Sequence, residues 1–350
     1  MSKLDIFHVI PTLFPYGAYS SLSELHYAID KYYGDVGQYI LSLKDENHKG
    51  MFELPHKIVP LSGLKAKIQS KSTNPVVFFH KLSATDCKPV SAVLYNDIPF
   101  VIVNHTQTNK PRGFARNNGI VAVSDHMYQT LSKGFKGFNF HRIRNGVNGE
   151  RYENIEPYYP DEVEGYFVTG RMNNFNGCKH PNDWIPWVKA TWIGSPHWHD
   201  YLGDGQYFQR ASQQANKRGR SAMRPNVCNM PGRINGFKDK VAYLKRWQVF
   251  LYEIRGTEGT SMALLEALAC GIPAIINNKP GNHEIVTKKV NGYVYNSREQ
   301  LLAKIKYLVE NPAYLEDLSA STKANFDAKL DARYMAKEYV DLAKKVINEF

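Results

Sequence analysis

Cysteine is scarce in this chain: there are four in 350 residues, at Cys87, Cys178, Cys228 and Cys270. None stands in a C-x-x-C pair, so neither a disulfide framework nor a cysteine zinc cluster is expected, and the thiols read as reduced residues of a cytoplasmic protein. Long apolar runs are missing too. A membrane span needs about 20 consecutive apolar residues, and with a mean hydropathy of −0.44 the chain has no such stretch. The opening residues Met1–Ile10 carry no small-residue cleavage site, and they read as a first buried strand and not as a signal peptide. Internal repeats and low-complexity tracts are absent, which excludes solenoid architectures. Acidic residues are also in short supply, 33 against 44 lysines and arginines, which leaves a net charge of +11. That excess implies an anionic partner such as nucleotide phosphates, an acidic membrane face or nucleic acid.

What is present is a strand–helix alternation that runs through the chain twice. The length suffices for two domains of about 150–180 residues, each with its own core. Short apolar runs at 6–10, 38–43, 76–79, 100–103 and 119–123 predict strands, and 20–33 and 126–133 predict helices. Such alternation implies parallel β-α-β units. The segment Ile155–Glu162 is acidic and aromatic and contains Pro157 and Pro160, so it reads as a linker. Beyond it the pattern restarts. Strands are expected at 166–169, 190–194, 249–252 and 274–276, with helices at 182–189, 238–245, 261–269 and near 298–310. The stretch 332–350 is amphipathic, with Met335, Tyr339, Leu342 and Val346 on one face. These boundaries predict an N-terminal domain over 1–156 and a second over 157–331. The helix of about 332–350 is expected to pack back on the first.

The most informative run is Glu258 to Ile275. Gly259 and the Thr260–Ser261 pair lead into a short helix that ends at Gly271, and Pro273 forbids its continuation. Amides at a helix start have no partner within the helix, and the helix dipole adds partial positive charge there, so such a mouth suits a diphosphate. Glu258 lies just before this helix and Glu266 falls in its second turn.

This run resembles the E-x7-E signature of retaining glycosyltransferases with the GT-B fold, specifically glycosyltransferase family 4, the sucrose-phosphate-synthase type. Further segments follow in the same order. Asn104-His105-Thr106 resembles the strand-end histidine motif, and Val123-Ser124 with Asn145-Gly146-Val147-Asn148 resembles the "V-S … N-G-V-D" segment. Gly170-Arg171 with Lys179 resembles the "G-R … K-G" element that opens the second domain. Glu284-Ile285-Val286 and Asn291-Gly292 resemble the "E-I-V … N-G" close. The resemblance spans nearly the whole chain. It departs from the family at the first loop, where a Gly-Gly pair is usual and only Gly17 is present, and in the longer interval between Arg171 and Lys179.

The resemblance implies an α/β fold of two Rossmann-like domains whose parallel sheets face a central cleft. The implied activity is that of a retaining, metal-independent hexosyltransferase. It would move a sugar from a nucleotide-diphosphate donor such as a UDP-sugar to a hydroxyl acceptor on a glycan, lipid or other molecule. The nucleotide sugar is then a substrate, and no cofactor or metal is implied. Arg171 and Lys179 would neutralise the departing diphosphate. Glu258 would contact the donor sugar, Glu266 the ribose hydroxyls, and His105 would approach the sugar from the first domain. These four, His105, Glu258, Arg171 and Lys179, are the implied catalytic set. Gly17, Gly170, Gly259 and the backbone of Thr260, Ser261 and Met262 complete the donor site.

Two other features carry weaker chemistry. His197 and His199 offer two imidazoles with no third ligand at a fitting spacing, which does not make a metal site. Between Gln206 and Gly236 there is no acidic residue, while Lys217, Arg218, Arg220 and Arg224 stand close together. That stretch reads as a solvated face, as a nucleic-acid contact, or as a membrane-surface contact. A nucleic-acid contact would fit a phage-type enzyme that glycosylates hydroxymethylated DNA bases in an infected host cell. A membrane contact would fit a peripheral protein with a lipid-linked acceptor. A reading of another class is a non-catalytic nucleotide-sugar or nucleic-acid binding protein on the same scaffold.

Overall fold

The structure is a computed structural model, and it describes residues 3–11, 17–44, 54–81, 87–105, 116–157, 167–172, 188–193, 237–252 and 259–350. Among them lie two parallel sheets. The first has seven strands in the order β3-β2-β1-β4-β5-β6-β7: β1 Asp5–Ile10, β2 Gly37–Ser42, β3 His56–Ile58, β4 Pro75–Lys81, β5 Phe100–Asn104, β6 Gly119–Ala122 and β7 Phe140–Arg142. Its central strands are apolar almost throughout, as sheets covered on both faces require: Ile6, Val9, Val76, Val77, Phe78, Phe79 and Val101 are fully buried. Helices α1 Gly17–Tyr32, α2 Leu64–Gln69, α3 Cys87–Leu94 and α4 Asp125–Gly134 connect these strands. Ser124 caps α4 by accepting the amide of Met127 at 3.1 Å.

The second sheet has five strands in the order β12-β11-β10-β8-β9. They are β8 Phe167–Met172, β9 Val188–Ile193, β10 Val249–Tyr252, β11 Ala274–Asn277 and β12 Gly292–Tyr295. Helices α5 Phe237–Lys245, α6 Met262–Ala269, α7 Arg298–Glu310 and α8 Pro312–Lys329 belong to this half. Val188 and Lys189, assigned to a helix by the sequence pattern, lie in β9, paired with Phe167 and Val168. β-Branched and aromatic neighbours and sheet pairing outweigh a helical period that Pro186 already weakens. Helix α6 ends as its sequence requires: Gly271 takes φ +73°, a left-handed conformation open to glycine at little cost.

The final helix, α9 Ala332–Glu349, returns to the first sheet. It lies against α1 and β4, and Tyr339 meets Phe78 edge-on with ring centroids 5.1 Å apart. The two chain segments that pass between the halves run side by side. Val147 bridges Asp331 in parallel, and the Ala332 amide donates to the Val147 carbonyl at 2.9 Å. Asp331 also accepts from the amides of Gly149 at 3.0 Å and Arg333 at 2.9 Å, so one carboxylate caps α9 and ties both crossings together. Among the described residues no helix is long and apolar enough to cross a membrane.

Candidate active site

In open parallel sheets, ligands bind beyond the carboxyl ends of the strands, where the strand order reverses. The first sheet reverses between β1 and β4 and the second between β8 and β10. Each point was marked in the sequence by a candidate residue: Gly17 opens α1 just after β1, and Gly170 and Arg171 close β8. Arg171 pairs in register with Trp192 of β9. Gly170 has a structural reason to lack a side chain, because a Cβ there would come 1.7 Å from the indole of Trp247.

The segment Gly259–Met262 lies against the first half of the molecule. A Cβ on Gly259 would come 2.9 Å from Val123 Cγ2 and 3.8 Å from the carbonyl oxygen of His105. The Thr260 hydroxyl donates to the Val123 carbonyl. Asn145 donates its side-chain amide to the Thr260 carbonyl at 3.2 Å and accepts from the Ser21 hydroxyl of α1 at 2.8 Å. A Cβ on Gly17 would stand 3.8 Å from Met262 Cγ, so the starts of α1 and α6 face one another.

Ser261 is the N-cap of α6 and accepts the amide of Leu264 at 3.3 Å. The first amides of the helix, those of Met262 and Ala263, have no partner inside it. The start of α4 differs, because the carboxylate of Glu284 already accepts the amides of Asp125 at 2.7 Å and His126 at 2.6 Å. One helix mouth thus holds a protein carboxylate, while among the described residues the mouth of α6 has a side-chain cap for Leu264 alone.

Glu266 sits one turn further on, nearly buried, and accepts from Lys240 at 2.8 Å. Beside it is Glu24, whose carboxyl burial pushes upward against the pull of Arg151. Glu24 accepts the amide of Asn148 at 2.8 Å and the guanidinium of Arg151 at 2.9 Å. Arg151 in turn lies over the ring of Phe237 at 4.2 Å. From the other side, His105 directly follows β5, and its Nε2 lies 2.9 Å from Nδ1 of His80, while burial lowers its imidazole to about 4.

The structure therefore brings together Gly17, His105, Gly259, Thr260, Ser261 and Met262, with Glu266 behind them on the same helix. Lys179, Glu258 and the basic residues Lys217, Arg218, Arg220 and Arg224 lie outside the described residues, as does the side chain of Arg171. Sequence reasoning did not single out Glu24, Lys240, His8 or His80. The histidines did leave a signal, since each interrupts an apolar strand, and a buried polar residue is the informative exception in such a run. Among the described residues, no group of three or more His, Cys, Asp or Glu side chains could hold a metal ion.

Residues 197–325 match the family model described as "Glycosyl transferases group 1", and the 258–266 run lies inside that span. HepE from Anabaena, solved with UDP and glucose, superposes with a TM-score of 0.72 at 16% identity, covering 98% of this chain and all of that one. A glycosyltransferase from Rickettsia africae gives 0.75 at 14% identity, over 99% of this chain and 100% of the other. Sucrose-phosphate synthase from Thermosynechococcus elongatus gives 0.72 at 14% identity, with the same coverage. At these identities the likeness establishes the fold, which is GT-B: two Rossmann-like units with parallel sheets.

Proposed function

We propose that the protein is a retaining, metal-independent glycosyltransferase that moves a hexose from a nucleotide-diphosphate sugar to a hydroxyl acceptor. The observation that carries this reading is the open start of α6, held against the strand ends of the first half by Gly259 and Thr260. Partner-less amides and a helix dipole stabilise a diphosphate, the group that must accept negative charge when the sugar leaves. The group 1 family match over 197–325 and the UDP and UDP-glucose named for the HepE structures support a nucleotide-sugar donor.

In this reading, residues 157–331 bind the donor and residues 1–156 face the acceptor. Arg171 and Lys179 take the diphosphate, Glu258 the sugar and Glu266 the ribose, with Lys240 fixing the Glu266 carboxylate. His105 meets the transferred sugar from the opposite wall. Charge at the leaving oxygen is offset by fixed cations and amides, and the departing phosphate itself takes up the acceptor proton.

Radiolabelled UDP-glucose tests the proposal, with donor hydrolysis and transfer measured with and without EDTA. Glu266→Ala and Arg171→Ala should each lower both rates by about a hundredfold or more, and the chelator should change nothing. Unaltered rates in both variants would refute the assignment, and an inverted anomeric centre in the product would refute retention.

A further inference from the structure

Three histidines form a chain from the core of the first sheet to the candidate site. His8 of β1 is fully buried and His80 of β4 is 2% exposed. Nδ1 of His8 lies 3.0 Å from Nε2 of His80, and Nδ1 of His80 lies 2.9 Å from Nε2 of His105. The His80 and His105 rings stack, with centroids 5.2 Å apart and planes 16° from parallel. The chain ends where the His105 carbonyl faces Gly259.

Burial disfavours charge on every ring. It lowers His8 to about 3 and His105 to about 4, and it pulls His80 well below the usual imidazole range, helped by its two histidine neighbours. At neutral pH each ring therefore carries one proton, and each nitrogen–nitrogen contact needs one donor and one acceptor. Only two arrangements satisfy both contacts. In the first, every ring is protonated on Nε2, and the N–H of His8 points into the core. In the second, every ring is protonated on Nδ1, and Nε2 of His8 is a bare lone pair.

Nε2 of His8 is buried and has no hydrogen-bond partner among the described residues. A buried N–H without an acceptor is the rarer defect in folded proteins, and an acceptor left without a donor is better tolerated. That selects the second arrangement. His80 then donates from Nδ1 to Nε2 of His105, whose own proton must sit on Nδ1, the ring nitrogen left over for substrate.

We propose that His8 and His80 are positioning residues that hold His105 in its Nδ1–H form, so that the cleft meets a neutral hydrogen-bond donor there and neither a base nor a cation. The inference rests on the glycosyl-transfer reading of the cleft and narrows the part of His105 to donating to an oxygen of the donor sugar.

The test is a long-range proton–nitrogen correlation spectrum of the full chain labelled with ¹⁵N-histidine, at pH 7 and without donor, assigned by loss of signals in His105→Gln. The expected result is a protonated Nδ1 and an unprotonated Nε2 on His105. In His80→Phe, His105 should revert to the Nε2–H form. UDP-glucose hydrolysis should then lose about tenfold in kcat with KM within about twofold, the signature of one neutral hydrogen bond felt in the transition state. His80→Asn, whose amide nitrogen stands near the position of Nδ1, should restore both readouts. A protonated Nε2 on His105 in the unaltered protein overturns the proposal, and so does His80→Asn behaving like His80→Phe. Should His80→Phe not fold, the spectrum of the unaltered protein and the asparagine variant decide alone. A chain that shows Nδ1–H but hydrolyses no donor keeps the tautomer chain and sinks the transfer reading. An active enzyme with Nε2–H does the reverse.

Discussion

The carboxylate of Glu284 reaches across from the second half of the molecule and accepts the amide of Asp125 at 2.7 Å, at the first turn of α4. The same group accepts the amide of His126 at 2.6 Å, so beside the Ser124 cap one side chain does for α4 what a bound anion would otherwise do. Asp125, which belongs to that same first turn, is itself held ionised by Arg144 and Arg142, and its carboxyl is pulled below the usual range. The contact joins the two halves at a point separate from the Thr260–Val123 bond.

Glu284→Ala should therefore lower stability by about 1.5–3 kcal/mol, the range for hydrogen bonds to a charged group. Glu284→Gln, which keeps one acceptor oxygen, should lose less. Urea unfolding followed by circular dichroism measures both. Equal losses in the two variants would mean that the amides have found other partners.

Gly259→Ala should disturb the site through one methyl group. Its Cβ would fall 2.9 Å from Val123 Cγ2, a separation that forces one side to move. A tenfold loss in kcat/KM for the donor is expected, about 1.4 kcal/mol at the transition state. Adding Val123→Ala removes the clashing carbon, so the double variant should recover activity relative to Gly259→Ala alone. The coupling in this double-mutant cycle is the readout.

Lys240→Met should leave the Glu266 carboxylate nearly buried and without its partner. Lys240 keeps about a quarter of its side-chain exposure, and Glu266 keeps 8%. The loss in stability should therefore stay at about 1–2 kcal/mol, below the cost of breaking a fully buried pair. In the proposed role the same variant should raise the KM for donor severalfold, and Lys240→Arg should restore part of it. An unchanged KM would separate this ion pair from donor binding.

Stability should fall on mild acidification because of the histidine chain. In the unfolded chain His8 titrates near 6.5, and in the fold it titrates at about 3. Between those values the unfolded state binds the extra proton and the folded state does not, so stability is complete above pH 6.5 and declines as pH drops. At pH 5 the loss from His8 alone is on the order of 2 kcal/mol. Glu24 works in the opposite sense, since its folded-state pKa is raised and acidification favours the fold. Comparing the pH dependence of urea midpoints in the unaltered protein and His8→Phe isolates the histidine contribution. The variant should show the shallower decline between pH 7 and 5.

Much of this molecule was legible in the chain because the signals were local. The buried strand at 5–10, the Ser261 cap, and the stop at Gly271–Pro273 depend on residues within a few positions of each other. Backbone geometry and burial periodicity act over that range, so reading them needs no knowledge of distant partners. Other pieces were silent. Strand β3, with the pattern HKI and all three residues exposed, has no apolar signature and is a strand only because β2 offers it an edge.

The sequence by itself determined two rounds of strand and helix, a bare helix mouth at 262, and a surplus of positive charge. Only the tertiary structure decided that Lys240 belongs to Glu266, that Glu284 closes α4, and that His8 and His80 stand behind His105. Those pairings join residues 25 to 159 positions apart. A side chain carries no mark of a partner that distant, because only the folded sheets bring the two within hydrogen-bonding range.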